Sequence, residues 1–205
     1  SFDVVKKIRF ITKEKKVGHG GTLDPFANGV LIVATGRDTK QLTEITGTDK
    51  SYIATIRLGE ITNTLDTEGF VTEKKNIPSF NDDKILKVLN TFLGETKQIP
   101  PMFSAKKIKG KKLYELARKN IEVERMPVLI NIKKISLLSF NAKKITFSVT
   151  SSKGTYIRVL GKDIAEKLGT LGYLTSLKRT KVGSFSVADS TSIEEFEEKW
   201  KLSQA

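Results

Sequence analysis

The chain has 205 residues, 38% of them hydrophobic and 29% charged, and its 36 lysines and arginines against 23 aspartates and glutamates give a formal net charge of +13. This composition is typical of a soluble globular protein, and no apolar run reaches the ~18 residues that a membrane-spanning helix needs. With no cysteine and one histidine, the chain has no thiolate nucleophile, no thiolate metal site and little imidazole chemistry. The positive charge is typical of polyanion binding, such as binding to nucleic acid, although a lysine-rich solvated surface gives the same count.

The first half of the chain predicts two strands and one helix. Residues 1–7 do not resemble a signal peptide, because no apolar segment follows the charges. Residues 28–35 are nearly all apolar and predict one buried strand, with a buried helical turn as the alternative. Residues 51–58 alternate and predict a strand with one buried face. The apolar spacing at 82–93 predicts a helix that Gly94 ends.

The second half predicts further strands with helices between them. A final helix opens at the capping box of Ser192 and Glu195, and Gly169 is placed to stop the helix before it. The other predicted elements are a short basic helix at 112–118, strands at 128–139 and 145–150, and a helix at 160–168. With no internal repeat, no linker and no regular βαβ alternation, the pattern predicts an α+β domain on a mainly antiparallel sheet.

A glycine-rich segment at 18–25 contains the strongest candidates for reactive residues. Asp24 follows glycines that are free to adopt unusual φ and ψ, and it precedes a proline that restricts its backbone. The sequence therefore favours a carboxylate as the reactive group, although an aspartate before proline is also a common turn residue. A phosphate cradle is a weaker alternative, because the Lys-Ser/Thr of a P-loop is missing. His19 is compatible with a structural or a catalytic role, and Lys15 and Lys16 could contact a phosphate backbone.

A second polar segment covers residues 151–158 and reads SSKGTYIR. On a strand, Tyr156 and Arg158 would point to the same face and place a stacking surface beside a permanent cation. A buried aspartate needs such a cation, because burial alone would raise its pKa and protonate it. An ordinary amphipathic strand would show the same pattern.

Five blocks, in order, closely resemble the TruB family of tRNA pseudouridine synthases. The blocks are KVGHGGTLDPFANGVL at 16–31, SYIATIRLGEITNTLD at 51–66, QIPPMFSAKK with the following Gly110 and LYELAR at 98–118, KGTYIR at 153–158 and LKRTKVGSF at 177–185. They cover nearly the whole chain.

The resemblance implies a pseudouridine synthase fold, which is a mixed, mainly antiparallel sheet flanked by helices and loops. It implies one catalytic domain over 1–205 with a helical and loop insert at 76–125. The implied activity is the isomerisation of uridine to pseudouridine at position 55, in the T-loop of tRNA, without a metal or other cofactor. The target base must leave the stack, so base flipping is implied.

The resemblance also assigns roles to residues. Asp24 resembles the essential catalytic aspartate, which must be ionised whether it attacks the sugar, attacks the base or removes a sugar proton. Tyr52 resembles the residue that stacks on the target base and assists proton handling, and Arg158 the arginine that pairs with the aspartate. Tyr156 and Leu177 resemble pocket-lining residues. The remaining roles are His19 near the flipped nucleotides, and Gly20 and Gly21 at the RNA backbone. Apart from the resemblance, the positive charge leads us to expect RNA contacts at Lys15, Lys16, Lys106, Lys107, Lys109, Lys111, Lys112 and Lys153. For the lysines around Gly110, a solvated loop is the alternative.

The chain departs from the family pattern in three places. Gly20 stands where threonine is common, the Lys-Pro part of the first motif is absent before Ser1, and no C-terminal RNA-binding PUA domain follows. We expect a cytoplasmic monomer that acts on the T-arm without a guide RNA or protein partner. A non-catalytic RNA-binding module and a guide-dependent synthase with partner proteins are the two alternatives.

Overall fold

The computed structural model describes residues 1–108 and 110–204. In chain order its elements are α1 (Phe2–Thr12), β1 (Val17–Gly20), β2 (Asn28–Gly29), β3 (Ile32–Thr35), α2 (Leu42–Gly47), β4 (Lys50–Leu58), β5 (Glu60–Thr62), β6 (Val71–Lys74), α3 (Asp82–Asn90), β7 (Gly94–Gln98), β8 (Lys107–Ile108), β9 (Lys111–Lys112), α4 (Leu113–Ala117), β10 (Val128–Asn141), β11 (Lys144–Ser151), α5 (Ile157–Lys167), β12 (Gly172–Val182), β13 (Phe185–Ser186) and α6 (Ile193–Ser203). None of the helices in this part of the chain is long and apolar enough to cross a membrane.

The chain divides into two compact units, and the division falls within β4 and β12. The smaller unit contains residues 1–51 and the chain from 178 onward, and the larger unit contains 52–177.

In the larger unit, sheet strands follow the order β12, β4, β11, β10, β7, and β10 is antiparallel to both of its neighbours. The alternation of β4 and β11 gives the sheet an apolar face on which Ile56, Ile145 and Phe147 are fully buried. Helix α5 packs very close to this face. A Cβ added at Gly172 would lie 2.7 Å from the Cβ of Ala165, so only glycine permits that approach.

In the smaller unit, β1 and β3 form an antiparallel pair, in which His19 lies opposite Val33. Val5 and Ile8 of α1 pack with Val17 of β1, and Phe196 of α6 lies against this cluster. The end of β12 pairs in parallel with β2 and antiparallel with β13.

Most predicted elements are confirmed. The structure has the predicted α+β class, with a mainly antiparallel sheet and helices. The strands predicted at 51–58, 128–139 and 145–150 are β4, β10 and β11, and Ala54, Ile56 and Leu58 are buried as their spacing predicts. The helices at 82–93, 112–118 and 160–168 correspond to α3, α4 and α5, and Gly169 adopts a positive φ of 92° after α5. The capping box at Ser192 opens α6.

Two predictions are wrong. Residues 28–35 do not form one buried strand: β2 pairs with β12 and is exposed, and β3 pairs with β1 and is only partly buried. The chain changes partners at Val30, whose N–H donates to the Arg179 carbonyl over 2.9 Å. Tyr156 and Arg158 do not lie on a strand either, because Tyr156 caps α5 and Arg158 belongs to its first turn. A separation of two in a helix places side chains on different faces.

Ten further elements were not predicted, namely α1, α2, β1, β5, β6, β7, β8, β9, β12 and β13. Helix α1 was missed, although Val4, Val5, Ile8 and Ile11 have helical spacing. Strand β7 was also missed. Gly94, with a φ of 90°, opens this strand, and α3 already ends at Asn90.

Candidate active site: the aspartate loop and the Arg158 centre

Asp24 lies in a loop of the smaller unit that we call the aspartate loop, residues Gly21–Val30. The Asp24 carbonyl accepts a hydrogen bond from the Ala27 N–H over 2.9 Å, which closes a tight turn with Pro25 at its second position. Proline is favoured there because its ring already fixes φ. The carboxylate of Asp24 is thus attached to a backbone with little freedom, and the residue is partly exposed.

Arg179 of β12 holds both ends of the aspartate loop. Its Nη2 donates to the Gly21 carbonyl over 3.1 Å and its Nη1 to the Thr22 carbonyl over 3.3 Å. Its Nε donates to the Val30 carbonyl over 2.8 Å. Arg179 is only 2% exposed, so this single side chain joins the start and end of the loop inside the unit.

The first residue of the chain also holds the loop. The Ser1 hydroxyl accepts a hydrogen bond from the Leu23 N–H over 3.0 Å, one residue before Asp24. Ser1 precedes α1, and its hydroxyl makes no hydrogen bond with the helix that it precedes. The backbone next to Asp24 is therefore tied to the start of α1 as well as to β12.

His19 lies on β1, two residues before the loop begins. Burial lowers its pKa below the ordinary value of 6.5, the charge of Arg179 lowers it further, and the Gly21 backbone opposes part of this change. Its Nδ1 is buried and has no hydrogen-bond partner among residues 1–108 and 110–204. Burial thus favours the neutral form of the ring beside the aspartate loop.

In the larger unit, Arg158 is the centre of a second polar cluster. Its Nη1 donates to the Thr64 carbonyl and its Nη2 to the Phe103 carbonyl, each over 2.8 Å. Nη1 also lies 3.3 Å from Oδ2 of Asp66. The guanidinium is therefore held in one orientation from two sides, which a planar fork of donors makes possible.

Asp66 is itself held in place. Its Oδ1 accepts hydrogen bonds from the Thr64 hydroxyl over 2.5 Å and from the Glu68 N–H over 3.0 Å. The Thr62 hydroxyl donates to its carbonyl over 2.7 Å. These contacts satisfy a carboxylate that is almost fully buried, as a buried charge requires.

The start of α5, which carries Arg158, is fixed by Gln98. The Gln98 Oε1 accepts from the Tyr156 N–H over 2.8 Å, and its Nε2 donates to the Tyr156 carbonyl over 3.1 Å. Gln98 is 4% exposed. Its amide therefore pairs with both backbone groups of the residue that caps the helix, and this sets the position of the first turn.

The other residues with predicted roles at the base lie on two strands and at the start of α5. Tyr52 is half-buried on β4, Leu177 is 5% exposed on β12, and Tyr156 is half-buried at the start of α5. The pairing of Arg158 with Asp24 and the roles of these residues at a base stay predictions.

The predicted RNA contacts are mostly exposed. Lys15 and Lys16 precede β1, Lys153 lies in the turn before α5, and all three are exposed. Lys106 and Lys107 lead into a small hairpin in which Lys107 is opposite Lys112. Lys109 lies outside the described residues. Gly20 is buried, and a Cβ there would make ordinary contacts with the side chains of Leu42 and Ile45 at 3.4 Å, so packing inside the unit does not require this glycine.

Three residues of these two clusters were given no role from the sequence, namely Asp66, Gln98 and Arg179. All three lie inside the five blocks that carry the family resemblance. Each is a polar residue with at most 4% exposure. No local pattern reveals such burial, because each of these residues also has a partner far away in the sequence: Arg158 for Asp66, Tyr156 for Gln98, and the aspartate loop for Arg179.

Comparisons with known proteins identify the family. Residues 9–157 match the family model "TruB family pseudouridylate synthase (N terminal domain)". The chain is 47% identical over 199 residues to tRNA pseudouridine synthase B of Clostridium tetani, covering 97% of this chain and 69% of that protein. It is 47% identical over 202 residues to tRNA pseudouridine synthase B of Psychrobacter cryohalolentis, covering 96% of this chain and 56% of that protein.

The fold is similar to a solved structure as well. A chain in the crystal structure of a Cbf5-Nop10-Gar1 complex matches with a TM-score of 0.76 and 27% identity, covering 100% of this chain and 53% of that one. The chain thus covers between 53% and 69% of the length of these three proteins. On the family match and these identities, the chain belongs to the TruB family of pseudouridylate synthases.

Proposed function

We propose that this chain is the catalytic part of a synthase that converts uridine 55 in the T-loop of tRNA into pseudouridine. The C1′–N1 glycosidic bond breaks, the detached uracil turns, and a C1′–C5 bond forms. N1 gains a proton and C5 loses one, so the reaction has no redox change. The identity to tRNA pseudouridine synthase B from several organisms supports this proposal.

The observation that carries the proposal is the aspartate loop. It presents a partly exposed carboxylate, Asp24, on a backbone held by Pro25, Ser1 and Arg179. Asp24 could attack the sugar, attack the base or remove a sugar proton, and each of these three routes needs an ionised carboxylate. Holding it before the RNA arrives reduces the entropy that the reaction would otherwise lose.

Tyr52 is the proposed stacking partner of the flipped uracil. Extruding a base from its stack costs a few kcal/mol. Stacking on an aromatic side chain is worth about 1–3 kcal/mol per base and offsets part of that cost. A half-buried tyrosine on a sheet suits this role, because β4 fixes the ring and leaves part of it accessible.

Arg158 is the proposed partner of the Asp24 carboxylate, which it would keep ionised. Its fixed orientation supports this role, since two carbonyls and Asp66 set the plane of the guanidinium. Donors that are already oriented stabilise a charge without reorganising during the reaction.

The proposed substrate is the T-arm stem-loop of tRNA, bound with the help of exposed lysines before β1 and in the β8–β9 hairpin. We propose further that the protein is a cytoplasmic monomer that needs no guide RNA and no protein partner. The net charge of +13 supports binding to RNA without a partner. Light scattering during size exclusion, with and without RNA, tests the monomer.

The experiment is an assay of the purified chain alone with an unmodified T-arm hairpin, in which pseudouridine is quantified by mass spectrometry. We expect turnover by the wild type and none by Asp24→Asn, which should still bind the hairpin. Asp38→Asn is the matched control, because Asp38 is an exposed aspartate of the same unit.

Wild-type turnover by Asp24→Asn would contradict the catalytic role of Asp24. Binding by the wild type without any product would favour the non-catalytic module. Product that forms only after a guide RNA and partner proteins are added would favour the guide-dependent synthase.

A further inference from the structure

Arg179 carries a buried positive charge that the reaction, as proposed above, does not use. No carboxylate forms an ion pair with it in the described part of the chain, and its guanidinium donates there to the backbone carbonyls of Gly21, Thr22 and Val30. A permanent charge is costly to bury and is retained only where its donors are well satisfied. This arrangement therefore indicates a specific task for the guanidinium.

The position of those carbonyls indicates the task. Two belong to the residues that enter the aspartate loop and one to the residue that leaves it. Both ends contain glycines with positive φ, 91° at Gly21 and 102° at Gly29, so the neck of the loop has little stiffness of its own. A side chain that bonds to both ends fixes their separation and the direction in which the loop projects.

The backbone of Arg179 adds to this hold. Its carbonyl accepts from the Val30 N–H over 2.9 Å, and Arg179 lies opposite Gly29 in the parallel pairing of β12 with β2. A Cβ at Gly29 would collide with the Arg179 carbonyl. The end of the loop is thus bound to Arg179 through backbone and side chain, and its start through the side chain alone.

We propose that Arg179 is a positioning residue for the isomerisation, which closes the neck of the aspartate loop with its guanidinium and thereby sets the place of Asp24. The inference rests on the proposed function, since it assigns Arg179 an effect that acts only through Asp24. The requirement is for an arginine, because three carbonyls in different directions need a planar fork of donors. The single ammonium of a lysine is a point donor.

The test compares Arg179→Gln and Arg179→Lys with a matched control, Arg37→Gln. Arg37 is exposed in the same unit, so its substitution removes the same charge without touching the loop. Each variant is first checked for folding by circular dichroism and its unfolding midpoint. Single-turnover rates on the T-arm hairpin and the Kd for that RNA are then measured separately.

We expect both Arg179 variants to lose about 100-fold in the single-turnover rate, the loss that a displacement of about 1 Å from a distant mutation can cause. The Kd of Arg179→Gln should equal that of Arg37→Gln, because the guanidinium is buried and does not reach RNA. If Arg179→Gln does not fold, Arg179→Lys decides the question with the same measurements.

The only histidine of the chain supplies a spectroscopic readout. Since the charge of Arg179 helps to lower the pKa of His19, an NMR titration of that ring should show a raised pKa in Arg179→Gln. In Arg179→Lys, which keeps the charge, the pKa should stay near the wild-type value while the rate still falls.

Rates equal to that of Arg37→Gln in both Arg179 variants would overturn the inference, and so would a weaker Kd with an unchanged rate. Asp24→Asn is assayed in parallel. If it is active, the proposed function fails. If it is inactive while the Arg179 variants turn over normally, only this inference fails.

Discussion

Asp66 and Arg158 form a buried ion pair in which Oδ2 lies 3.3 Å from Nη1 and the side chains are 4% and 5% exposed. The remaining carboxylate oxygen of Asp66 accepts two hydrogen bonds, and the guanidinium donates to two backbone carbonyls. This pair joins the turn after β5 to the first turn of α5. It therefore links two of the sequence blocks that identify the family.

Asp66→Asn should destabilise the larger unit. Asparagine has the same shape, but its amide N–H groups would face either the guanidinium or the Thr64 hydroxyl and Glu68 N–H. In addition, Arg158 would lose its buried counter-charge. Breaking a buried pair in this way costs about 3 kcal/mol. Urea denaturation followed by circular dichroism measures the free energy of unfolding.

Glu73→Gln is the control for Asp66→Asn, because Glu73 is exposed on β6 of the same unit. Its loss should leave the free energy of unfolding nearly unchanged. Equal stability of the two variants would show that the pair contributes nothing to the fold.

Arg158→Lys should slow the reaction strongly while the protein stays folded. Lysine keeps the charge, but its one nitrogen cannot serve the Thr64 carbonyl, the Phe103 carbonyl and Asp66 in the arrangement that the fork allows. We expect about a 100-fold lower single-turnover rate on the T-arm hairpin. Arg57→Lys, exposed on β4, is the matched control and should keep the wild-type rate. A wild-type rate for Arg158→Lys would contradict the proposed pairing of Arg158 with Asp24.

The outcome at Arg158 illustrates what the sequence could and could not predict. Alternation and helical spacing are local, so β4, β10, β11 and α5 were predicted close to their observed positions. The family resemblance assigned roles to Asp24 and Arg158, and these roles stay predictions. Neither source reveals that Arg158 meets Asp66, because the contact depends on how distant segments fold together.

The prediction of one buried strand at 28–35 is wrong for the same reason. Its apolar composition is correct for a strand, but Val30 bonds to Arg179, which lies 149 residues away, and this contact divides the segment between two partners. Tertiary contacts of this kind override a local pattern. Helix α1 is a different case, since the helical spacing of its apolar residues was present in the sequence.

The pH dependence of stability should contain a contribution from His19. Its pKa is lowered in the folded chain, first by burial, so the unfolded chain binds more protons around and below the ordinary value of 6.5. The free energy of unfolding therefore falls as the pH drops through 6.5 towards the lowered pKa of the folded state. The full contribution of His19 is present above that window.

The measurement compares urea denaturation of the wild type and His19→Gln between about pH 7 and about pH 5. Because His19 is the only histidine, the difference between the two curves isolates its effect. The variant should show a shallower loss of stability over this range. Parallel curves would mean that the His19 pKa is the same in the folded and unfolded chain.

Substitutions at Tyr52 should separate stacking from proton handling. Tyr52→Phe keeps the ring, so RNA affinity should stay at the wild-type level. The rate should fall about 100-fold if the hydroxyl moves a proton. Tyr52→Ala removes the ring and should also weaken binding by about tenfold, the equivalent of about 1.4 kcal/mol of stacking. Affinities are measured in the Asp24→Asn background, in which the RNA is bound but not converted.

Tyr173→Phe is the control for the loss of a tyrosine hydroxyl in the same unit, since Tyr173 donates to Glu60 over 3.4 Å and is 9% exposed. It should keep both the rate and the affinity of the wild type. A wild-type rate for Tyr52→Phe would remove proton handling from its role and leave stacking. Undiminished affinity for Tyr52→Ala would contradict a stacking role for Tyr52. Other contacts would then have to offset the cost of flipping the base, because a flipped base without a partner is unfavourable by a few kcal/mol.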